Sequence, residues 1–476
     1  MFQKVAIIGG GAAAATLVSE LLERRTPKPL HLDWYAGRPD AGRGVAYGTP
    51  SERHLLNVRA ASMGMFVSKP GGFLEYAQSL DPHVKGSDFL PRKLYGDFLR
   101  SRVEQAIGNA HTFKHHINVV PFTADSLVPS KEGITIGYGD ESAHADAAVL
   151  AIGSLPPRPL PGVQDAAMAS GRYVTDPWPY LASASEDDRP LRVLVIGLGL
   201  TAVDVLLELS AKWPNARFTA LSRHGKLPEP HLDSPSVPGD DGSDLIEALR
   251  DDPNARNWSK RLRKAMGLGR YAHGANSDEE RAVDWRTVID GMRPHTQSLW
   301  ADLPVAERAR FLRHARWAWE RARHRMPPQV TDAVIKLEKA DRLKRLRGRM
   351  RSVSLSPDGE LAVLRALPGG NEITETYDIV VQTVGLNTDT LRTKHPLVRQ
   401  LIVDNLVLPD SLGLGLKAQR DGHLLDHDGK PRANLFAIGS LLRGALWEST
   451  AIPEIRRQAQ SVANMLVSNK PEKATK

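Results

Sequence analysis

Residues 4–16, KVAIIGGGAAAAT, constrain the fold of this 476-residue chain more than any other stretch. Residues 5–8 are a short apolar run with β-branched members, which is typical of a buried strand. Three glycines follow at once, and the alanines after them favour a helix. The order strand, glycine turn, helix predicts a dinucleotide-binding unit. The alternative is a glycine-rich turn that holds no ligand.

The spacing of the small residues assigns each of them a role. Gly9 permits the tight turn, Gly11 lets a pyrophosphate approach the backbone, and Ala14 allows helix and strand to pack closely. The helix N-terminus then offers free N–H groups and a positive dipole end to the phosphates. We therefore predict cofactor contacts at these three residues.

One part of the usual fingerprint is missing. An acidic residue that holds a ribose hydroxyl is expected at the end of the second strand, which we place at residues 30–35. Ala36 stands at that point, Asp33 lies inside the strand, and Asp40 lies well past it. We therefore assign no residue to the ribose contact.

The opening pattern returns about 190 residues later, as LRVLVIGLGLTAVDV over 191–205. Residues 193–196 are the predicted strand, and Gly197, Gly199 and Ala202 occupy the three fingerprint positions. Two such fingerprints in one chain are far more specific than either alone. We interpret the first as an FAD site and the second as a nicotinamide site, because two nicotinamide sites would be redundant. Hydride transfer then requires the two domains to face each other across a cleft.

The second strand of this later unit, 217–221, predicts which nicotinamide cofactor binds. No acidic residue ends that strand; Ser222 and Arg223 follow it instead. An arginine at this position is the feature expected for a 2′-phosphate, which favours NADPH over NADH. The alternative is a surface arginine in a loop, with NADH used instead or as well.

Four further cofactor contacts are predicted outside the two fingerprints, in a loop, at the start of a helix and at the ends of two strands. Residues 42–63 are expected to form an ordered loop with one short strand, and a helix is expected to start within 89–99. Two buried strands that end in glycine, 147–153 and 434–439, are typical of nucleotide-binding domains. The predicted contacts are Asn57, Arg92, Gly153 and Gly439, although Arg92 could equally be an ordinary surface arginine.

Composition excludes several classes of protein. The sequence has no cysteine, which rules out disulfides, thiolate nucleophiles and the redox-active dithiol of the glutathione-reductase type of flavoprotein. No apolar stretch approaches the length of a membrane span, and the first strand begins too early for a signal peptide. We therefore expect a cytoplasmic protein.

The formal net charge of +8 raises the question of nucleic-acid binding. The densest basic run, KLEKADRLKRLRGRMR over 336–351, has helix-compatible spacing and is interpreted as a solvated helix face followed by a turn. A moderate positive field that attracts anionic cofactors accounts for the same excess, and no nucleic-acid motif accompanies it. The expected partners are a small-molecule substrate and O₂, without nucleic acid or membrane.

Residues 243–351 are expected to be mainly helical. Aromatic residues recur through it, and Phe311, Leu312, Ala315 and Trp319 approximate a helical stripe that is more often core than cofactor site. His295, His314 and His324 are not at metal-ligand spacing, so no metal site is predicted and these histidines are structural or contact substrate. Near the C-terminus, Pro453 fits the first turn of a final helix.

The chain resembles the FAD/NAD(P)-binding bacterial flavoproteins related to flavin-containing and N-hydroxylating monooxygenases, a group in which we place a urate hydroxylase. The motifs that carry this resemblance span nearly the whole chain: IIGGGAAAAT at Ile7, GRGVAYGT at Gly42, HLLNV at His54, LPRKLYG at Leu90, VIGLGLTAVD at Val195, LSRHGKLPEPH at Leu221, FLRHARWAWERARHRMPP at Phe311 and LLRGALWESTAIPEIRRQA at Leu441. The departures are Ala36 at the ribose position and Ser440 where such proteins often place aspartate.

The resemblance implies an NAD(P)H-using, FAD-dependent monooxygenase that hydroxylates a small polar molecule, urate among the candidates, through a C4a-hydroperoxyflavin. Because the cofactor carries that chemistry, few acid–base residues are required, and the sequence identifies no catalytic residue. A flavin-dependent NAD(P)H reductase or dehydrogenase without oxygen transfer is the first alternative. A non-catalytic dinucleotide-binding redox sensor is the second.

The predicted fold class is α/β with two Rossmann-like domains. The FAD domain is discontinuous, formed by 1–161 and 377–476. The NAD(P)H domain occupies 162–376 and carries the helical insertion at about 243–351.

Overall fold

The computed structural model describes residues 2–37, 41–233, 243–267 and 284–468. Within them the strands are β1 (Lys4–Ile8), β2 (His31–Tyr35), β3 (His116–Val120), β4 (Ser126–Pro129), β5 (Ile134–Tyr138), β6 (Glu141–Ala145), β7 (Ala147–Leu150), β8 (Tyr173–Val174), β9 (Arg192–Ile196), β10 (Arg217–Ser222), β11 (Leu343–Arg347), β12 (Arg349–Leu355), β13 (Leu361–Ala366), β14 (Glu372–Tyr377), β15 (Ile379–Gln382), β16 (His423–Leu425) and β17 (Pro431–Ala437).

The α-helices of the same residues are α1 (Ala12–Leu22), α2 (Gly44–Tyr47), α3 (Gly72–Leu80), α4 (Arg92–Asn109), α5 (Asp165–Ala169), α6 (Pro177–Ser183), α7 (Leu200–Lys212), α8 (Ser243–Asp251), α9 (Ala255–Ala265), α10 (Trp285–Met292), α11 (Thr296–Asp302), α12 (Val305–His314), α13 (Arg316–Arg323), α14 (Pro328–Lys339), α15 (Pro396–Val403), α16 (Arg443–Leu446) and α17 (Ile452–Val467).

The first fingerprint lies in a six-stranded sheet of order β16-β17-β7-β1-β2-β3. Strands β17, β7, β1, β2 and β3 run parallel, and β16 adds an antiparallel edge. Helices α1, α4 and α17 contribute Leu17, Leu21, Tyr95, Phe98 and Val462 to one core cluster that also contains β1 residues. The fingerprint strand is therefore buried centrally, as its continuous apolar run predicts.

The second fingerprint lies in a parallel five-stranded sheet of order β11-β10-β9-β15-β8. Its strand β9 and the following helix α7 repeat the β1–α1 arrangement. The remaining strands of the described residues form two small antiparallel sheets, β4-β5-β6 and β12-β13-β14. The predicted fold class, with two dinucleotide-binding units of α/β type, is confirmed.

Three sequence expectations differ from the structure. The basic run at 336–351 is not one helix: α14 ends at Lys339, and β11 pairs with β10 as the edge of the second sheet. Leu343 is buried there while Lys344 and Arg345 face outward. Sheet pairing thus overrides the helix propensity of the leucine, lysine and arginine residues.

The second difference concerns the domain boundary at residue 377. The structure pairs β15 with β9, so this strand belongs to the second sheet and not to the discontinuous first domain. The return to the first sheet is made later, by β17, which pairs with β7. A short apolar strand has the same sequence pattern in either sheet, so only the pairing assigns it.

The final helix begins as predicted, with Pro453 in the first turn of α17. The expected loop at 42–63 contains the short helix α2 and an isolated bridge between Leu55 and Pro91, not a regular strand. In the part of the chain described above, none of the helices has the length and apolarity that crossing a membrane requires.

Candidate functional site

The first fingerprint forms an enclosed turn at the carboxyl edge of the first sheet. Gly9 has a φ of +135°, and a Cβ there would stand 2.2 Å from the carbonyl oxygen of Ala151 on the neighbouring strand's exit. Gly11 is the N-cap of α1 and receives no side-chain cap. A Cβ at Gly11 would lie 3.7 Å from the Cα of Gly44, so the first residue of α2 covers the turn.

Two other predicted contacts lie at the same edge. Gly439 has a φ of +84°, and a Cβ there would lie 3.7 Å from the Cβ of Ala13 in α1. Gly153 has a φ of +72°, and its carbonyl oxygen accepts a hydrogen bond from the hydroxyl of Ser440. Ser440, which replaces the aspartate common in such proteins, therefore joins the two glycine-ended strands.

This edge fits the pyrophosphate of FAD. The first-turn N–H groups of α1 have no intrahelical partners, and neither a capping side chain nor an acidic residue competes for them. Ala14 is fully buried against the sheet, as the third fingerprint position requires. Ala36 is buried and offers no acid to a ribose, and Asp40 lies outside the described residues.

The second fingerprint is open where the first is closed. Gly197 has a φ of +121°, and a Cβ there would stand 2.4 Å from the carbonyl oxygen of Thr383, so it is constrained as Gly9 is. Gly199 is the N-cap of α7, and a Cβ built on it would meet no atom within 4 Å. Ala202 is fully buried. The space beside Gly199 therefore fits a dinucleotide that can enter and leave.

That space is one end of a cleft of about 800 Å³. The turn of the second fingerprint, Asn57 of the first unit, helix α13 of the insertion, and the segment before α17 all line it. Thr450 and Ala451 bring the cleft to the N-terminus of the final helix. The cleft therefore runs between the two dinucleotide-binding units.

Ser222 and Arg223 lie at the outer end of this cleft. The hydroxyl of Ser222 accepts a hydrogen bond from the backbone N–H of Gly225 at 2.9 Å, and Arg223 is exposed. Arg347 and Arg349 line a smaller depression together with Arg223. The end of β10 is thus a cationic corner, which suits a phosphate group.

Arg92 lies elsewhere. Its guanidinium Nη2 lies 2.9 Å from Oδ2 of Asp204 on α7, and its Nε donates to the carbonyl of Leu55. Burial raises the pKa of Asp204, and the charges of Arg92 and His54 oppose that rise. This nearly buried ion pair joins α4 of the first unit to α7 of the second, so the structure accounts for Arg92 without a ligand.

The structure therefore groups the predicted site residues into three sets. The first set, at the edge of the first sheet, comprises Gly9, Gly11, Ala14, Gly153 and Gly439. The second, on the cleft and the helix behind it, comprises Asn57, Gly197, Gly199, Ala202, Ser222 and Arg223. Arg92 forms an inter-unit ion pair. Their contacts with cofactor remain predictions.

Helix α13 and its C-terminal flank contribute cleft residues that the sequence analysis did not assign to a site. Trp317 stacks on His224 at 3.9 Å between ring centroids, while Trp319, Glu320 and Arg323 line the cleft beyond it. Across from them stand Arg443, Trp447 and Glu448. The many arginine and tryptophan residues over 311–325 are the sequence signal that could identify these residues. The sequence analysis interprets that stretch mainly as core.

His324 follows α13 and lines the cleft. Burial, aided by the charge of Arg323, lowers its pKa to about 4, so the ring is neutral near pH 7. His231, whose ring Nε2 lies 3.1 Å from the carbonyl oxygen of Asn57, has a pKa lowered to about 3, chiefly by burial and then by Arg325. Both histidines are therefore neutral hydrogen-bonding groups.

Comparison with known proteins supports the fold and the predicted cofactors. Residues 6–155 match the model of a family described as FAD-NAD(P)-binding, which confirms the predicted resemblance. No curated protein matches the sequence.

Solved structures resemble the chain over almost its full length. L-lysine 6-monooxygenase from Pseudomonas syringae is 16% identical, with a TM-score of 0.65 over 98% of this chain and 99% of that one. Ornithine N-hydroxylase from Kutzneria sp. 744, solved with reduced FAD, NADP⁺ and L-ornithine, is 14% identical, with a TM-score of 0.62 over 98% and 99%. Bacillithiol disulfide reductase from Staphylococcus aureus is 11% identical, with a TM-score of 0.53 over 98% and 100%. At these identities the likeness concerns the fold.

Proposed function

We propose that this protein is an FAD-dependent, NADPH-using monooxygenase that hydroxylates a small polar molecule. The observation that carries the proposal is the single cleft between the two fingerprint units, which reaches from Gly199 to the N-terminus of α17. Structural neighbours named as lysine and ornithine hydroxylases support it. The absence of cysteine from the sequence speaks against a dithiol reductase.

The residues present would hold both cofactors in distinct ways. The N-terminus of α1 would bind the pyrophosphate of FAD, enclosed by Gly44 and the glycine-ended strands. Gly199 would leave room for the pyrophosphate of NADPH, and Arg223 would contact its 2′-phosphate. The chemistry that FAD supplies when bound is the acceptance of a hydride from the nicotinamide and the subsequent reaction with O₂.

The remaining task of the chain is to orient substrate and exclude water. Trp319 and Trp447, both nearly buried, form apolar parts of the cleft wall. The neutral ring of His324 can donate one hydrogen bond and accept another, which suits the orientation of a polar substrate. Buried, partly apolar wall residues of this kind also limit the access of water to reactive species.

The test begins with the visible spectrum of the purified protein, where a stoichiometric flavin spectrum is expected. NADPH oxidation is then followed with urate, L-lysine and L-ornithine as trial substrates, and ¹⁸O₂ is used to label product. Substrate-dependent NADPH oxidation with incorporation of one ¹⁸O atom supports the proposal. Rapid reduction of artificial electron acceptors without incorporation would instead indicate a reductase. Tight binding of both cofactors without turnover would indicate a redox sensor.

A further inference from the structure

One end of the cleft is a charged wall that contains none of the predicted cofactor contacts. It is formed by α13, its C-terminal flank, and the segment around α16. We define this inner wall by the residues Arg316, Trp319, Glu320, Arg323, His324, Arg443, Trp447 and Glu448, all of which line the cleft.

Both carboxylates of the inner wall are already bound by protein groups. Glu320 accepts hydrogen bonds from Arg443 at 2.7 Å and from Arg316 at 3.0 Å. Burial raises the pKa of Glu320, but these two guanidinium charges outweigh burial and hold the pKa below its ordinary value. The carboxylate is therefore ionised and neutralised locally.

Glu448 is bound in the same manner. Its Oε2 accepts from Nε of Arg323 at 3.2 Å, and its Oε1 accepts from the indole N–H of Trp319 at 3.3 Å. The inner wall thus holds three guanidinium groups and two carboxylates, and its histidine is neutral. An excess of positive charge remains at the inner end of the cleft.

Hydrogen-bonding capacity also remains there. Within the described residues Arg323 donates only through Nε and Arg443 only through Nη2, although a guanidinium carries five N–H donors. Their side chains are only 10% and 11% exposed, so a ligand oxygen would be bound in a largely desolvated setting. The ring of His324 makes no hydrogen bond to another described residue.

Trp447 is fixed in this wall by the groups that cover its ring. Its backbone, at φ 60° and ψ −70°, lies in a region that bulky residues rarely adopt. Trp300 stacks on its ring at 4.8 Å between centroids, and the Arg443 guanidinium carbon lies 4.7 Å from the ring centroid. Packing therefore holds Trp447 in a strained position beside the cleft.

We propose that the inner wall binds the substrate as an organic anion, held by Arg323 and Arg443. This inference rests on the proposed function, since it assigns the substrate class of the same cleft. Charge-assisted hydrogen bonds from two nearly buried guanidinium groups favour an anion. A cationic amine without a carboxylate would meet like charge and should be a poor ligand here.

The experiment compares three benzene derivatives of similar size that differ in charge. Benzoate, benzamide and benzylamine are titrated calorimetrically into the purified full-length protein with the flavin it retains. We expect benzoate to bind at least about tenfold more tightly than benzamide, because an ionic acceptor roughly doubles hydrogen-bond strength. Benzylamine should show no measurable binding. This titration needs no turnover, so it can succeed even if the monooxygenase proposal fails.

A matched pair of variants locates the benzoate. Arg323→Lys keeps the charge but removes the planar fork, and it should weaken benzoate at least about fivefold, since a lysine cannot make the paired contacts. Arg223→Lys makes the same change at the outer end of the same cleft and should leave benzoate binding unchanged. If the Arg323→Lys protein does not fold, Arg443→Lys tests the same wall. The comparison of the three probes on the unsubstituted protein tests the charge preference without any variant.

Three outcomes would overturn the inference. Benzylamine could bind as tightly as benzoate. Benzoate could bind no better than benzamide. Arg223→Lys could weaken benzoate while Arg323→Lys and Arg443→Lys do not, which would place the anion at the nucleotide end of the cleft.

Discussion

The two fingerprints have nearly the same local sequence, but they differ in what covers them. Gly11 faces the backbone of Gly44, whereas Gly199 faces open cleft. Gly9 and Gly197 are alike, since each has a positive φ and stands against a carbonyl oxygen. The motif thus fixes the turn in both units, and the surrounding loops decide whether the ligand is enclosed or exchangeable. An enclosed site suits a resident flavin, and an open site suits a nicotinamide that leaves after each turnover.

The strongest test of this comparison is one substitution made at both fingerprints. Gly11→Val should abolish flavin retention, because the γ-methyl groups would occupy the gap between the α1 N-terminus and Gly44. Gly199→Val should keep the flavin but lose NADPH-driven reduction, because its side chain enters open cleft. Flavin content by absorbance and anaerobic reduction by NADPH measure the two effects. A fully flavinated Gly11→Val protein would contradict the first-site assignment.

The second test breaks the ion pair between α4 of the first unit and α7 of the second unit. Arg92→Gln should lower the free energy of unfolding by about 3–5 kcal/mol, because it leaves the carboxylate of Asp204 buried without its partner. Arg100→Gln is the matched control on the same helix, where the exposed pair with Glu104 contributes less than about 1 kcal/mol. Urea unfolding measures both. Equal effects of the two variants would show that the Arg92 pair does not hold the units together.

The third test sharpens the assignment of the open site to NADPH. Arg223→Ala should raise the NADPH requirement by roughly ten- to a hundredfold, because a charge-assisted hydrogen bond contributes on the order of 1.5–3 kcal/mol. NADH use should be almost unchanged, since NADH lacks the 2′-phosphate. Arg217→Ala, at the opposite end of the same strand, is the control. Equal loss with both nicotinamides, or none with NADPH, would argue against a phosphate contact.

The smallest effect that we expect is a pH dependence of the free energy of unfolding, caused by two histidines whose pKa values are lowered in the folded state. His231 and His324 have folded-state pKa values of about 3 and about 4, below the unfolded value of about 6.5. The unfolded chain therefore binds more protons between about pH 6.5 and 4, so stability falls as pH falls through that window. Each histidine contributes at most about 1.4 kcal/mol per pH unit.

Urea unfolding between pH 7.5 and 5 measures this slope. His324→Gln should make it shallower, whereas His314→Gln, at an exposed histidine on α12, should not change it. An unchanged slope in His324→Gln would show that this ring is not buried neutral in the folded state.

Much of the fold could be predicted from the sequence because its signals are local. A β-branched run, two glycines and a small helix residue need only their own neighbours to form the turn, so β1–α1 and β9–α7 were placed correctly. The strand at β15 was assigned to the wrong sheet, and β11 was interpreted as helix, because partner choice depends on residues far away. The cleft wall was missed for a related reason, since arginine and tryptophan on α13 fit a core helix equally well.

The sequence by itself determined two dinucleotide-binding turns, the lack of a dithiol, and the arginine at the end of β10. These follow from residue type and spacing, which act over a few residues. Only the tertiary structure decided that one turn is covered and the other open, that Arg92 joins the units, and that α13 faces the cleft. Those facts depend on packing between segments that are distant in the sequence, such as Arg92 with Asp204 and Glu320 with Arg443, and no local pattern encodes the partner.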